Sequence, residues 1–167
     1  DCVALIGPNG AGKTVLMSCI LGDKKPSSGQ VLIDGKAGKA KNKIAVLLQE
    51  NTIPNSLKVE ELIAFFQSIS DNPLTNQEVQ ELLQFKEDQY QQFADKLSGG
   101  QRRLLAFVLC LIDKPKILFL DEPTAGMDTS TRQRFWEIVN DLKKSGVTIL
   151  YSSHYIEEVE HTADRIL

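Results

Sequence analysis

The residue pattern predicts an α/β domain with a mostly parallel sheet, divided by a helical insert. Short apolar runs alternate with helical patterns along the chain, as in strand–helix–strand architectures. The runs are rich in leucine and β-branched residues and lack polar alternation, which is the composition of strands covered on both faces. From residue 54 to residue 112 the alternation stops, and several helical patterns follow one another with no convincing strand.

The elements are expected in this order. Strands fall at Val3–Ile6, Gln30–Ile33, Ile44–Leu48, Ile117–Leu120 and Val147–Tyr151. A first helix, Lys13–Leu21, stops at Gly22, with Pro26 soon after. Leu62, Phe65, Phe66 and Ile69 are spaced as one apolar helix face. Phe135, Ile138, Val139 and Leu142 form another, which Gly146 ends. Within the insert, Thr75-Asn76-Gln77-Glu78 reads as a capping box ahead of Val79, Leu82 and Leu83, and Asn72-Pro73 marks the turn before it. The single domain is therefore divided into an α/β core, 1–53 and 113–167, and a helical subdomain, 54–112. The chain starts one residue before an apolar strand and stops inside another apolar run, Arg165-Ile166-Leu167, so a fragment cut at both ends from a longer polypeptide is expected.

Composition narrows the function. At 167 residues, 42% hydrophobic and 25% charged, the chain suits one domain with a real core. A net charge of −3 and a pI near 5.4 argue against a nucleic-acid partner. The longest apolar run, Leu104–Ile112, is well short of the ~20 residues of a membrane span. Cys2, Cys19 and Cys110 lie in apolar stretches with no CxxC or CxxH spacing, and read as buried free thiols of a reducing compartment, not metal ligands.

Three motifs carry chemistry. Gly7-Pro8-Asn9-Gly10-Ala11-Gly12-Lys13-Thr14 follows the first strand and opens the first helix, which is GxxxxGK[ST] in its required setting. Glycines let several backbone N–H groups turn toward one phosphate, and the helix N-terminus adds positive potential. Lys13 then neutralises β- and γ-phosphates and the Thr14 hydroxyl is offered to Mg²⁺. The second motif, Lys116–Pro123, is an apolar strand ending in Asp121 and Glu122. Ligands of open α/β sheets gather beyond strand carboxyl ends, which suits Asp121 to Mg²⁺ and Glu122 to the attacking water. The third, Leu97-Ser98-Gly99-Gly100-Gln101, opens another helix with capping-box spacing between Ser98 and Gln101, and makes a second anion site.

With these residues in order, the sequence resembles the nucleotide-binding domain of ABC ATPases, within the P-loop NTPase superfamily, over essentially the whole chain. Gln49 matches the family's Q-loop glutamine, Ala125-Gly126-Met127-Asp128 its D-loop, and His154 its switch histidine. Gly29 to Gly35 matches the stretch after the first helix. The resemblance implies ATP and Mg²⁺ as ligands. Gly7 to Thr14 would bind phosphates in cis, and Thr14, Gln49 and Asp121 would serve Mg²⁺. Glu122 would be the catalytic carboxylate, assisted by Gln49, with His154 on the γ-phosphate. Ser98, Gly99, Gly100 and Gln101 would clasp ATP held by a second ABC domain in a head-to-tail dimer, and Asp128 would link the two sites. It further implies a transmembrane permease partner docked near Ile53-Pro54-Asn55-Ser56-Leu57, at the cytoplasmic face of the membrane. An adenine-stacking aromatic and the first antiparallel strands would lie upstream of Asp1, so the family's antiparallel β subdomain is expected in truncated form. Lys58 stands where a helix-starting threonine is frequent, and the AGMD form of the D-loop resembles exporters of the ABC-2 class. Soluble members that act on ribosomes or nucleic acid share every one of these motifs, and remain the alternative to a transport ATPase.

Overall fold

The computed structural model describes residues 1–8, 10–33, 35–37, 44–50, 53, 54 and 56–167. Asn9 of the glycine loop, Asp34, and Asn55 of the segment after Gln49 lie outside the described residues.

Five strands form one parallel sheet in the order β4-β5-β6-β1-β7: β1 is Cys2–Ile6, β4 Ile44–Leu47, β5 Ile117–Leu120, β6 Thr148–Ser153 and β7 Arg165–Ile166. The central strands are apolar because both faces are covered: Ala4, Leu118, Leu120, Ile149 and Tyr151 are all fully buried. One expected strand is placed differently. Gln30–Ile33 does not join this sheet. Its last two residues, Leu32–Ile33 (β2), pair antiparallel with Lys36–Ala37 (β3) in a separate two-stranded ribbon, and Leu32 is 52% exposed. The partners Ile33 and Lys36 are neighbours along the chain, so this contact closes at far smaller entropic cost than pairing with a distant strand.

Helix α1, Lys13–Leu21, leaves β1 through the glycine loop and ends at Gly22, whose left-handed backbone (φ 82°) turns the chain. The insert holds α2 (Val59–Ser68), α3 (Asn76–Leu83), α4 (Glu87–Gln91) and a 3₁₀ turn, Ala94–Lys96. Thr75 caps α3 as the sequence implies: its hydroxyl accepts from Glu78 N–H while Glu78 accepts from Thr75 N–H. On α2 the buried stripe is Val59, Leu62 and Ile63, with Phe66 partly buried; Phe65 and Ile69 are 55% and 66% exposed. Two apolar stripes overlap on this helix at Leu62 and Phe66, and packing against α4 and α5 selects the one that includes Val59 and Ile63.

Helix α5, Gly99–Leu111, packs on both bodies, touching α2 and α3 of the insert as well as β4 and α6. Helix α6, Thr129–Lys144, buries Phe135, Ile138 and Val139, and α7 is Ile156–Thr162. An aromatic row joins these layers: Phe107 of α5 meets Phe135 at 4.4 Å, Phe135 meets Trp136 at 5.1 Å, and Trp136 meets Tyr151 of β6 at 5.1 Å between centroids. Arg134 of α6 clips the insert to the core by donating to the carbonyls of Glu81 and Leu82 at the end of α3. The three thiols are free; Cys2 of β1 is buried, whereas Cys19 of α1 and Cys110 of α5 are partly buried, Cys110 with its thiol turned to strand β4. No helix among the described residues is long and apolar enough to cross a membrane.

Candidate functional site

The carboxyl ends of β1, β5 and β6 open on one cleft of about 500 Å³, lined by Gly10 to Val15, Gln49, Asp121, Glu122, Ala125 and His154. The parallel register makes this convergence unavoidable, since β5 lies beside β6 and β6 beside β1. A larger cleft, about 1250 Å³, lies at the amino ends of β5 and β6, between Leu32, α3 and α6. Its walls mix aliphatic residues with charged ones such as Glu78, Lys116 and Arg134, it lacks a glycine phosphate cradle, and it is at the wrong end of the sheet for a ligand of an open α/β fold.

The glycine loop is built for an anion. Gly10 (φ 86°) and Gly12 (φ 93°) occupy left-handed backbone that side-chain-bearing residues avoid, and Gly12 is the N-cap of α1. No side chain caps α1, and its first turn holds no carboxylate, so the amides at the helix start are left for a ligand. The Lys13 ammonium folds back on the loop, donating to the carbonyls of Gly7 at 2.6 Å and Pro8 at 3.3 Å.

Opposite lies the acidic strand end. Asp121 is buried and fully engaged: Oδ2 accepts from the Thr14 hydroxyl at 2.8 Å and Oδ1 from the Ser152 hydroxyl at 2.5 Å. Glu122 is 9% exposed; its N–H donates to Ser152 Oγ at 2.9 Å, and its Oε2 lies 2.5 Å from Nδ1 of His154. Its backbone is left-handed, φ 47°, rare for a residue with a side chain. The half-exposed His154 ring packs on Tyr155 at 4.0 Å, and the Arg132 guanidinium lies 5.3 Å over the Tyr155 ring. Thr14, Asp121 and Gln49 offer hard oxygen donors to one cleft, a set that suits Mg²⁺ when phosphate oxygens complete its shell. The residues present therefore fit a Mg-nucleotide.

The third motif stands apart from this cleft. Ser98 caps α5, accepting from Gln101 N–H at 3.2 Å while Gln101 Oε1 accepts from Ser98 N–H at 3.2 Å. Ser98 and Gly99 are exposed; Gly100 is buried. A Cβ on Gly100 would lie 3.1 Å from Oδ2 of Asp128, so the start of α5 packs tightly on residues 127–128. Asp128 itself caps α6, accepting from Thr131 N–H and from the hydroxyls of Ser130 and Thr131, and the Ser130 bond above all holds its carboxyl well below the usual carboxylate range.

Two polar residues of this region are absent from the motif reading. Ser152 bridges Asp121 and Glu122; the sequence signal was its place just before Ser153 and His154 at the end of an apolar strand that the register sets beside β5, Leu120 opposite Tyr151. Arg103, two residues past Gln101, donates to backbone carbonyls on both sides of the cleft floor, and nothing in the local sequence announces it.

The family model described as "ABC transporter" matches residues 1–125. The chain is 35% identical to the linearmycin resistance ATP-binding protein LnrL of Bacillus subtilis, covering 97% of this chain and 55% of that protein. It is 34% identical to the Nod factor export ATP-binding protein I of Burkholderia lata, covering 99% and 58%. It thus spans little more than half the length of these curated relatives. Among solved structures, an ATP-binding subunit of an ABC transporter superposes with a TM-score of 0.83 at 27% identity, covering 100% of this chain and 74% of that one. A dimeric ATP-binding cassette in a post-hydrolysis state with ADP and Pi shares the fold, with a TM-score of 0.82 at 22% identity, covering 100% and 80%. Motifs, sheet order and family match coincide, and the chain belongs to the ABC transporter family.

Proposed function

We propose that this chain binds and hydrolyses ATP to drive transport, as the nucleotide-binding part of an ABC transporter. One observation carries the reading: Lys13, Thr14, Asp121, Glu122 and His154 face a single cleft at the carboxyl end of the sheet. The amides of Gly10 to Thr14 receive the β- and γ-phosphates, and Lys13 exchanges the Gly7 and Pro8 carbonyls for phosphate oxygens. Thr14, Asp121 and Gln49 would hold Mg²⁺, which offsets phosphate charge when bound. Glu122 orients the attacking water and takes its proton, while His154 steadies the carboxylate through Nδ1 and presents its exposed edge to the γ-phosphate. Ser152 fixes Asp121 and the Glu122 backbone together.

The start of α5, Ser98 to Gln101, where Ser98 and Gly99 are exposed, is assigned to the ATP of a second domain in a head-to-tail dimer, with Asp128 beside it. A permease partner at the cytoplasmic face of the membrane is assigned to the insert, where Phe65 and Ile69 are exposed. The names of the relatives, resistance and export, support export over the soluble alternative.

In the full-length protein, Glu122→Gln should keep ATP affinity and lower hydrolysis by roughly 10²–10⁴-fold. Binding measured with a fluorescent ATP analogue, beside phosphate release, tests this. Turnover close to the parent protein's would overturn the role given to Glu122.

A further inference from the structure

Among the described residues, Arg103 is a charged side chain with no charged hydrogen-bond partner. All its described hydrogen bonds go to backbone carbonyls: Leu48 at 2.5 Å, Gln49 at 3.0 Å, Asp121 at 3.0 Å, Pro123 at 3.1 Å and Glu122 at 3.3 Å. Burial presses its guanidinium below the usual arginine range, so its place is costly unless those carbonyls repay the lost hydration. The five acceptors come from two separate segments, the end of β4 with Gln49 and the end of β5 with Glu122. Only the planar five-donor fork of arginine can serve both at once.

The location gives this clamp a consequence. Glu122 holds a left-handed backbone whose two sides are pinned, its N–H by Ser152 and its carbonyl by Arg103. Gln49 has its carbonyl held by the same guanidinium. Arg103 is the fifth residue of α5, one turn past the helix N-terminus that carries Ser98, Gly99 and Gly100. A small rigid-body shift of α5 therefore reaches Gln49 and Glu122 through one side chain.

We propose that Arg103 is a positioning residue for ATP hydrolysis: it sets the backbone of Gln49 and Glu122 and ties that setting to the helix that begins with Ser98–Gln101. This rests on the function proposed above. The test uses the full-length protein carrying Arg103→Met, which keeps the apolar stem, or Arg103→Lys, which keeps the charge but offers three donors from one point. With the carboxylate no longer held in place, kcat should fall roughly 10- to 100-fold in Arg103→Met while the affinity for a fluorescent ATP analogue stays within about threefold of the parent value. Arg103→Lys should lie between the two. Melting temperatures accompany each measurement, and if Arg103→Met does not fold, the lysine variant decides by the same split. An unchanged kcat, or kcat and ATP affinity falling together with the melting temperature, would overturn the proposal. A parent protein that hydrolyses no ATP would overturn the proposed function and this inference with it, whereas an active parent with an equally active Arg103→Met overturns this inference alone.

Discussion

Glu122 sits at φ 47°, a setting that costs a non-glycine residue about 1–3 kcal/mol, and its surroundings hold it there from both sides. Glu122→Gly and Glu122→Ala should both abolish hydrolysis, but the glycine variant should be more stable than the alanine variant by about 1 kcal/mol, because only glycine occupies this region freely. Urea unfolding of the pair measures the difference; equal stabilities would mean the backbone relaxes once the carboxylate is gone. The thiols separate in a similar way. Burial pushes Cys2 and Cys110 up to about 11, and the Cys110 thiol is also turned to the Val46 carbonyl at 3.4 Å. At neutral pH a thiol reagent should label Cys19 first, read by mass spectrometry of brief labelling. At this scale the glycine loop and the Asp121-Glu122 strand end were legible in sequence, because each is a contiguous run whose chemistry is local. Ser152 and Arg103 were not, since their partners lie far along the chain and meet only when strands and helix pack.

Among the elements, α2 shows how a cap can be half made. Lys58 is its N-cap, in extended backbone (φ −71°), and its N–H is received by Glu61 at 2.7 Å, but a lysine side chain cannot accept from the first-turn amides. Lys58→Thr completes the box as Thr75 does on α3, and should stabilise the fold by about 0.5–1 kcal/mol with hydrolysis unchanged. Chemical denaturation checks it; a loss of stability would show that the Lys58 stem or its contact with Glu60 matters more than the cap. The sequence named α1 and α3 well because glycine or threonine marks their ends. It misjudged which stripe of α2 turns inward, because Leu62 and Phe66 belong to both candidate faces and only α4 and α5 decide between them. The ribbon of β2 and β3 was misread for a related reason: a short apolar run does not declare its partner.

At the scale of the molecule, three carboxyls among the described residues lie below their usual range in the folded state: Glu78 through the Thr75 amide, Asp128 through Ser130, and Asp164 through Lys143. The folded protein binds these protons more weakly than the unfolded chain, so their contribution is present above the ordinary carboxylate values of about 4 and fades as pH falls below them. Melting temperature should decline steadily from pH 5 to pH 3, and less steeply at high salt, since these groups are exposed. Assembly has its own test. Ser98→Arg sets a bulky cation at the exposed start of α5, at the further cost of that helix's cap; ATP should still bind one subunit, and ATP-dependent dimers should disappear from size-exclusion runs. The α/β class and the helical insert were readable from alternation alone, but the sheet order was not, because parallel strands carry no mark of their neighbours. That order has a kinetic consequence. β1 lies between β6 and β7, with Cys2 opposite Ile149 and Val3 opposite Arg165. During synthesis the strand that carries the glycine loop emerges with neither of these neighbours yet made, and it waits for them until β6 and β7, near the far end of this sequence, have left the ribosome. Such long-range closure slows folding and lengthens the interval in which chaperones must cover the nascent chain.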